Sequence, residues 1–313
     1  MIKSFTITNY LGDSIKLDLM RPGNSGFVVK HAEGLGPVKA NINTTDVAMT
    51  DGGRYNSAYL EQRDIVMNLE FYQTPGVSIE DIRQKSYRYF PIKRNVTFTV
   101  ETDNRTLEAV GYVESNEPAI FAKNEGCSIT IVCPDPYFYS KGTNETVFSG
   151  VMSMFEFPFE NNSIVLNDDG TYSDNDDLIE FGRIENRTEE TVFYDGDSEV
   201  GLTVVIHAVG PVSDLTIYNL TTRERMIIDT EKLATLTGSS IIDGDTIYIK
   251  TRRGQKSITL LRDGVNINIL NCLGKGSKWF TLSRGDNIFV YNATVGKEDL
   301  QFRIVNNVVY DGV

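Results

Sequence analysis

The stretch DIVMNLEFYQTPGVSIEDIRQKSYRYFPIKRNVTFTVET, residues 64–102, decides the fold. It begins with DIVMNLEFY (64–72) and ends with NVTFTVET (95–102), short runs that alternate or stay apolar and read as strands. Between them, VSIEDIRQKSYRYFP (77–91) reads as a helix. Ser78 is placed to cap it, because its hydroxyl can accept from an orphan N–H of the first turn. Asp81, three positions on, completes a capping box with Asp in the place of Glu. Ile79, Ile82, Tyr89 and Phe90 fall on one face, and Pro91, which has no N–H, ends the helix. The stretch predicts an antiparallel sheet with one helix packed on it.

On either side the strand pattern continues. SFTITNY, SIKLDLM and SITIVCP surround this stretch, and GLTVVIHAVG, DLTIYNL, DTIYIKT, SITLLRDG, NIFVYNA and QFRIVNN repeat the style later in the chain. Each ends near Gly, Pro, Asn or Asp, which favours sandwiches or barrels over βαβ units. The 313 residues suit two domains at ~150 residues each. The Gly/Asn/Thr segment that follows PDPYFY reads as a linker, giving domains 1–140 and 141–313. The fold class is mainly β.

Charge narrows the function. The net charge is −13, with 14 basic and 17 acidic side chains in residues 1–140 and 16 and 26 in residues 141–313. Phosphate-backbone binding needs clustered Lys and Arg that release counterions, so neither specific nucleic-acid binding nor anionic lipid docking is expected. Three cysteines, Cys127, Cys133 and Cys272, with no C-x-x-C, speak against a disulfide framework. The N-terminal residues lack the apolar core of a signal peptide, and no run approaches the ~20 apolar residues of a membrane span. Synthesis in a reducing cytoplasm without membrane insertion is expected.

Sites of chemistry are hard to find. In HAEGLGPVKANINTTDVAMTDGGRYNS (31–57), Gly34 and Gly36 begin a G-x-G-x-x-G, but Lys39 stands where the third glycine belongs and no helix start follows. Gly254-Gln255-Lys256-Ser257 fails as a P-loop, since Gln255 intrudes. Asp174, Asp176 and Asp177, in an acidic stretch at 167–177, lack the glycine of a calcium loop and read as a solvated loop tip. His31 and His207 are the two histidines, and His207, inside a strand-like run, reads as hydrogen-bonded and half-buried rather than as a general base. Trp279, the single tryptophan, reads as a core residue, with sugar stacking as the alternative. No catalytic residue, cofactor or metal is expected.

The order of motifs resembles the distal tail protein (Dit) family of long-tailed bacteriophages over about 280 residues. The matching features are a strand pair, the glycine-rich segment between Gly34 and Gly53, DIVMNLEFY, the helix with its Tyr-Phe-Pro ending, and LEAVGYV (107–113). CPDPYFY (133–139) closes the first domain, and FEFPF (155–159), GDTIYI (244–249) and WFTLSRGDN (279–287) follow. The resemblance implies an N-terminal β-rich domain with one packed helix, forming rings, and a C-terminal galectin-like jelly roll. It implies a homo-hexamer in the virion tail tip or baseplate. That ring would join the tail tube protein to a tail-associated tip protein and to receptor-binding or baseplate proteins, and DNA would pass through without specific binding. In such a ring residues 34–57 would be an arm at the subunit interface, with Lys39, Asn41, Asn43, Arg54, Tyr55 and Tyr59 making contacts. The alternative is a glycan-binding adhesion protein of a tail or a tail-derived bacteriocin, with Trp279 stacking on sugar. A cell-wall hydrolase is a third and weaker reading.

Overall fold

A computed structural model describes the chain except for residues 47, 50, 153–163, 167–171 and 175–182. Side chains at 22, 149–152, 164–166, 172–174 and 183–186 are likewise outside the description. The FEFPF motif and the side chains of Asp174, Asp176 and Asp177 therefore lie outside the described residues. The chain forms two compact units. One holds Met1–Asn144, Asp195–Val200 and Asn307–Val313, and the other holds Glu145–Tyr194 and Gly201–Asn306.

The first unit contains β1 (Ile2–Asn9), β2 (Ser14–Asp18), β3 (Phe27–Glu33), β4 (Ala40–Asp46), β5 (Gly53–Leu60) and β6 (Arg63–Phe71). These are followed by α1 (Ile79–Tyr89), β7 (Asn95–Thr102), β8 (Thr106–Pro118), β9 (Gly126–Cys133) and the start of β10 (Phe138–Val147). All its ladders are antiparallel: β2 pairs β1, β1 pairs β7 and β7 pairs β8, while β3 pairs β6, β6 pairs β9 and β9 pairs β8. β8 serves both sets. Its first half pairs β7, its second half pairs β9, and a register shift between Val113 and Ser115 marks the bulge that bends it from one to the other.

Alternation on these strands builds one core. Phe5, Ile7, Leu17, Phe98 and Val100 from one set meet Phe27, Ile65, Met67, Ile129 and Ile131 from the other, all nearly inaccessible. The helix forms where the sequence places it. Ser78 Oγ accepts from Asp81 N at 3.1 Å, and Asp81 Oδ2 accepts from Ser78 N at 3.0 Å. Ile82 and Phe90 are buried, and Ile79 and Tyr89 pack at the edge of the core. CPDPYFY is a turn that bonds itself: Tyr139 donates its hydroxyl to Asp135 Oδ2 at 2.7 Å, and Tyr137 N donates to Asp135 Oδ1 at 3.3 Å. The segment after it, read from sequence as a linker, is strand instead, because β10 runs unbroken through Ser140 and Gly142. The junction between the units falls at 144/145, and the chain's last residues return to the first unit.

The second unit is also antiparallel. It contains β11 (Ser149–Met152), β12 (Ile164–Leu166), β13 (Tyr172–Asp174), β14 (Arg183–Asn186), β15 (Glu189–Tyr194), β16 (Val200–Gly201, at the junction) and β17 (Thr203–Ala208). Next come β18 (Leu215–Asn219), β19 (Glu224–Ile228), α2 (Thr230–Thr237), β20 (Thr246–Lys250), β21 (Ser257–Arg262) and β22 (Val265–Asn268). The last three strands are β23 (Thr281–Leu282), β24 (Gly285–Asn292) and β25 (Leu300–Tyr310), the end of β25 from Asn307 belonging to the first unit. One sheet runs β25-β17-β20-β21-β22 and another runs β15-β24-β18-β19. Their buried faces join where Tyr291 stacks on Phe302 at 3.9 Å between ring centroids, beside Phe148. Asp263-Gly264, both at positive φ, close the β21–β22 hairpin as an Asp-Gly turn requires.

The sequence reading missed α2. Asp229 caps it by accepting from Lys232 N at 3.0 Å, and Gly238 ends it in the left-handed region. Its eight residues are short and bury chiefly Leu233, so no apolar periodicity announces it. Behind it, Arg262 donates to both oxygens of the buried Asp245, at 2.8 and 2.5 Å.

Candidate assembly interface

Residues 34–57, the expected arm, fall largely in a β-hairpin that runs on to Leu60. β4 and β5 form a two-stranded sheet that pairs with no other strand among the described residues. The sequence reading took this segment as irregular and glycine-broken, whereas the Thr- and Tyr-rich runs on either side of Gly52 pair into strands. Nearly every residue is exposed, so neither face shows the apolar alternation that betrays a half-buried strand.

The register sorts the expected contact residues. Asn41 lies opposite Tyr59, Asn43 opposite Ser57 and Thr45 opposite Arg54, which puts these side chains on one face. Asn43 Nδ2 donates to Ser57 Oγ at 3.1 Å there. A register shift follows Asn43 and places Tyr55 opposite Thr44, on the other face with Ile42 and Ala58. Asn41, Asn43, Arg54 and Tyr59 are thus brought together, and Tyr55 is separated from them. Lys39 is exposed at the root. Sequence reasoning missed Ile42, 61 % exposed, and Met49 at the tip, which is wholly exposed. Together with Tyr55 and Tyr59, at 62 % and 57 %, they give the hairpin an apolar surface on both faces, unusual for a free-standing strand pair.

The root is rigid. Arg63, at the head of β6, is 1 % exposed. It lies in phase with the buried residues Ile65, Met67 and Leu69. Its guanidinium donates to the carbonyls of Gly36 at 2.7 Å, Pro136 at 2.7 Å and Asp311 at 2.6 Å, and also to that of Gly34. It also stacks on Phe138, 4.3 Å from the ring centroid. Burial lowers its pKa from the ordinary arginine value, opposed by Cys133 and Asp311 nearby. Gly34 is at positive φ, and a Cβ there would lie 2.0 Å from the Asp64 carbonyl oxygen, so only glycine fits. Val313 N donates to the Leu35 carbonyl at 2.9 Å, adding the chain's end to this knot. The hairpin therefore projects from a fixed base.

The remaining candidates are elsewhere. His31 contacts Glu33 at 2.8 Å on the surface, and His207 is half-buried on β17, bonded to Thr246 at 3.0 Å. Trp279 is only half-buried, with Lys256 Nζ 5.5 Å from its ring, and its neighbour Phe280 takes the core position expected for it. Cys127 and Cys133 are free thiols pushed up to about 12 by burial, and Cys272 is also free and buried. Among the described residues no group of three His, Cys, Asp or Glu is arranged to hold a metal. No described helix is long and apolar enough to cross a membrane.

Over nearly its whole length this fold matches solved structures of bacteriophage tail proteins. The chain is similar to the SPP1 Dit (gp 19.1) protein, described as a paradigm of the hub adsorption apparatus in Gram-positive-infecting phages. The TM-score is 0.62 at 12 % identity, over 97 % of this chain and 99 % of that one. It is also similar to a chain of the phage P2 baseplate in its activated, calcium-containing conformation, with a TM-score of 0.50 at 13 % identity over 98 % of each chain. No protein-family model and no curated protein matches the chain by sequence.

Proposed function

We propose that the protein is a structural hub of a phage tail tip or baseplate. In this reading the first unit forms a homo-hexameric ring, and the β4–β5 hairpin of each copy reaches the next. The ring joins the tail tube to a tail-associated tip protein, and the second unit, a galectin-like jelly roll, faces receptor-binding or baseplate components. DNA passes through the central hole without being bound, since an acidic protein repels phosphate. The protein performs no catalysis in this role.

The observation that carries the reading is the exposed apolar hairpin on a rigid base, within a fold that matches the SPP1 hub along its whole length. A free two-stranded ribbon is marginal by itself, and a neighbour that covers Ile42, Tyr55 and Tyr59 supplies the missing burial. A closed ring leaves no copy with an uncovered arm. Solution mass and negative-stain images test it. The wild-type chain is expected to give annular hexamers, and Ile42→Asp with Tyr55→Asp is expected to give folded monomers. Hexamers that persist in the double variant remove the hairpin from the interface, and failure of the wild-type chain to close into rings, alone or on tail tubes, removes the hub reading. For the alternative role as a glycan adhesin, Trp279 is a poor platform, because Lys256 already stands over its ring.

A further inference from the structure

The second unit holds a groove of about 440 Å³ lined by Tyr218, Leu220, Arg223, Glu224, Arg225 and Lys278. Elsewhere in this acidic chain several cations, Lys16, Lys30, Arg83, Arg88, Arg262 and Arg303, each sit on a carboxylate. Arg223, Arg225 and Lys278 are exposed, and among the described residues none of them has a side-chain hydrogen bond or ion pair. Three unmatched cations against one carboxylate make a local positive field in a molecule of net charge −13.

The local fold builds this arrangement. Tyr218 and Arg225 are direct cross-strand partners of the β18–β19 hairpin, so their side chains share a face. Residues 274–278 run alongside β19, zipped to it by Gly274 N on the Ile227 carbonyl and Lys278 N on the Arg225 carbonyl, both at 2.8 Å. That pairing brings Lys278 beside Arg225, and the Arg225 guanidinium lies over Gly276, which is at positive φ. The turn that carries Arg223 is fixed as well. The buried Asn219 accepts from Thr221 N and Thr222 N, and Leu220 N donates to the Ile288 carbonyl at 2.8 Å. Arg223 has φ 57, a conformation arginine rarely takes, so the turn holds a cation where glycine or asparagine is the easier choice.

We propose that this groove binds a phosphorylated sugar or polyol. The forked guanidinium of Arg225 and the Lys278 ammonium take the phosphate oxygens, as Arg and Lys do wherever phosphate is recognised. The Tyr218 ring and the Leu220 side chain line the groove for the carbon skeleton. Glu224, which already accepts the Thr222 hydroxyl at 3.2 Å, accepts hydroxyl donors of the ligand and disfavours a second anion. The volume falls within the range of small-ligand pockets and suits one or two repeating units better than a protein segment. A free sugar phosphate and a polyol-phosphate polymer share this chemistry. The site belongs wholly to the second unit, so it stands or falls independently of ring assembly.

Titration calorimetry on the full chain at low salt tests it with four probes: glycerol 1-phosphate, poly(glycerol phosphate), inorganic phosphate and polyglutamate. Saturable binding of the first two is expected, falling roughly tenfold or more in Arg225→Ala and in Lys278→Ala, as loss of a charged hydrogen bond predicts. Both residues are exposed, and unchanged melting curves show that the variants remain folded. Affinity per phosphate that is higher for the polymer assigns the site to the polymer, and equal affinity assigns it to the free compound. No binding at millimolar concentration overturns the proposal. So does inorganic phosphate or polyglutamate binding as tightly as glycerol 1-phosphate, or affinity that both substitutions leave unchanged.

Discussion

Arg63 shows how much one side chain organises here. It ties the head of β6 to three segments remote from it in sequence, and each of its hydrogen-bond partners is a carbonyl, the Asp311 carboxylate acting on it only through space. Lysine keeps the charge but cannot fork to several carbonyls at once. Arg63→Lys is therefore expected to destabilise the protein by roughly 3 kcal/mol, read as a shift of the urea midpoint. The buried thiols act through pH. Cys127 and Cys133 ionise near 9 when unfolded and at about 12 when folded, because burial disfavours the thiolate. Their folded values are raised, so the stability they contribute is whole below pH 9 and is lost as pH rises toward 12. The urea midpoint is expected to fall between pH 8 and pH 10.5, and to fall less in the Cys127→Ala/Cys133→Ala variant. Neither thiol should react with alkylating reagents until the protein unfolds.

At the scale of elements, α1 and the β4–β5 hairpin are opposites. The helix is specified locally: cap, apolar face and stop all lie within residues 78–91, and its burial confirms the reading. Ser78→Ala removes the cap and is expected to cost about 1 kcal/mol in the same urea assay. Its partner Asp81 is held below the ordinary carboxylate pKa chiefly by Ser78, so this cap's contribution is present at neutral pH and lost as the solution is acidified through the folded value. The hairpin has no such local signature. Its strands are polar and exposed, and cross-strand pairs such as Asn43–Ser57 become visible only once the register is known.

At the scale of the whole molecule, the first unit is not continuous in sequence. It needs residues 195–200 and 307–313, including the Asp311 carbonyl that Arg63 uses and the Asp311 carboxylate that accepts from Ser198 at 2.8 Å. A fragment 1–144 is therefore expected to be far less stable than the same unit in the full chain. Circular dichroism in urea should show its transition at a clearly lower midpoint, and co-expression with residues 145–313 should restore it. A fragment as stable as the intact unit would mean that the returning segments contribute little.

What the sequence determined by itself was everything that depends on near neighbours. It specified a mainly β chain with strand after strand at period two, the capped helix at 78–91, and a charge that disfavours nucleic acid. Only the tertiary structure decided what depends on residues far apart. It showed that Arg63 is a buried tie and that the last residues complete the first unit. It made strands of the polar arm, and it brought Arg225, Lys278 and Tyr218 to one groove. The physical reason is the range of the forces. Propensity and capping act over one or two turns of chain, whereas burial of a charge, strand register and a converging field arise only when the sheets have assembled.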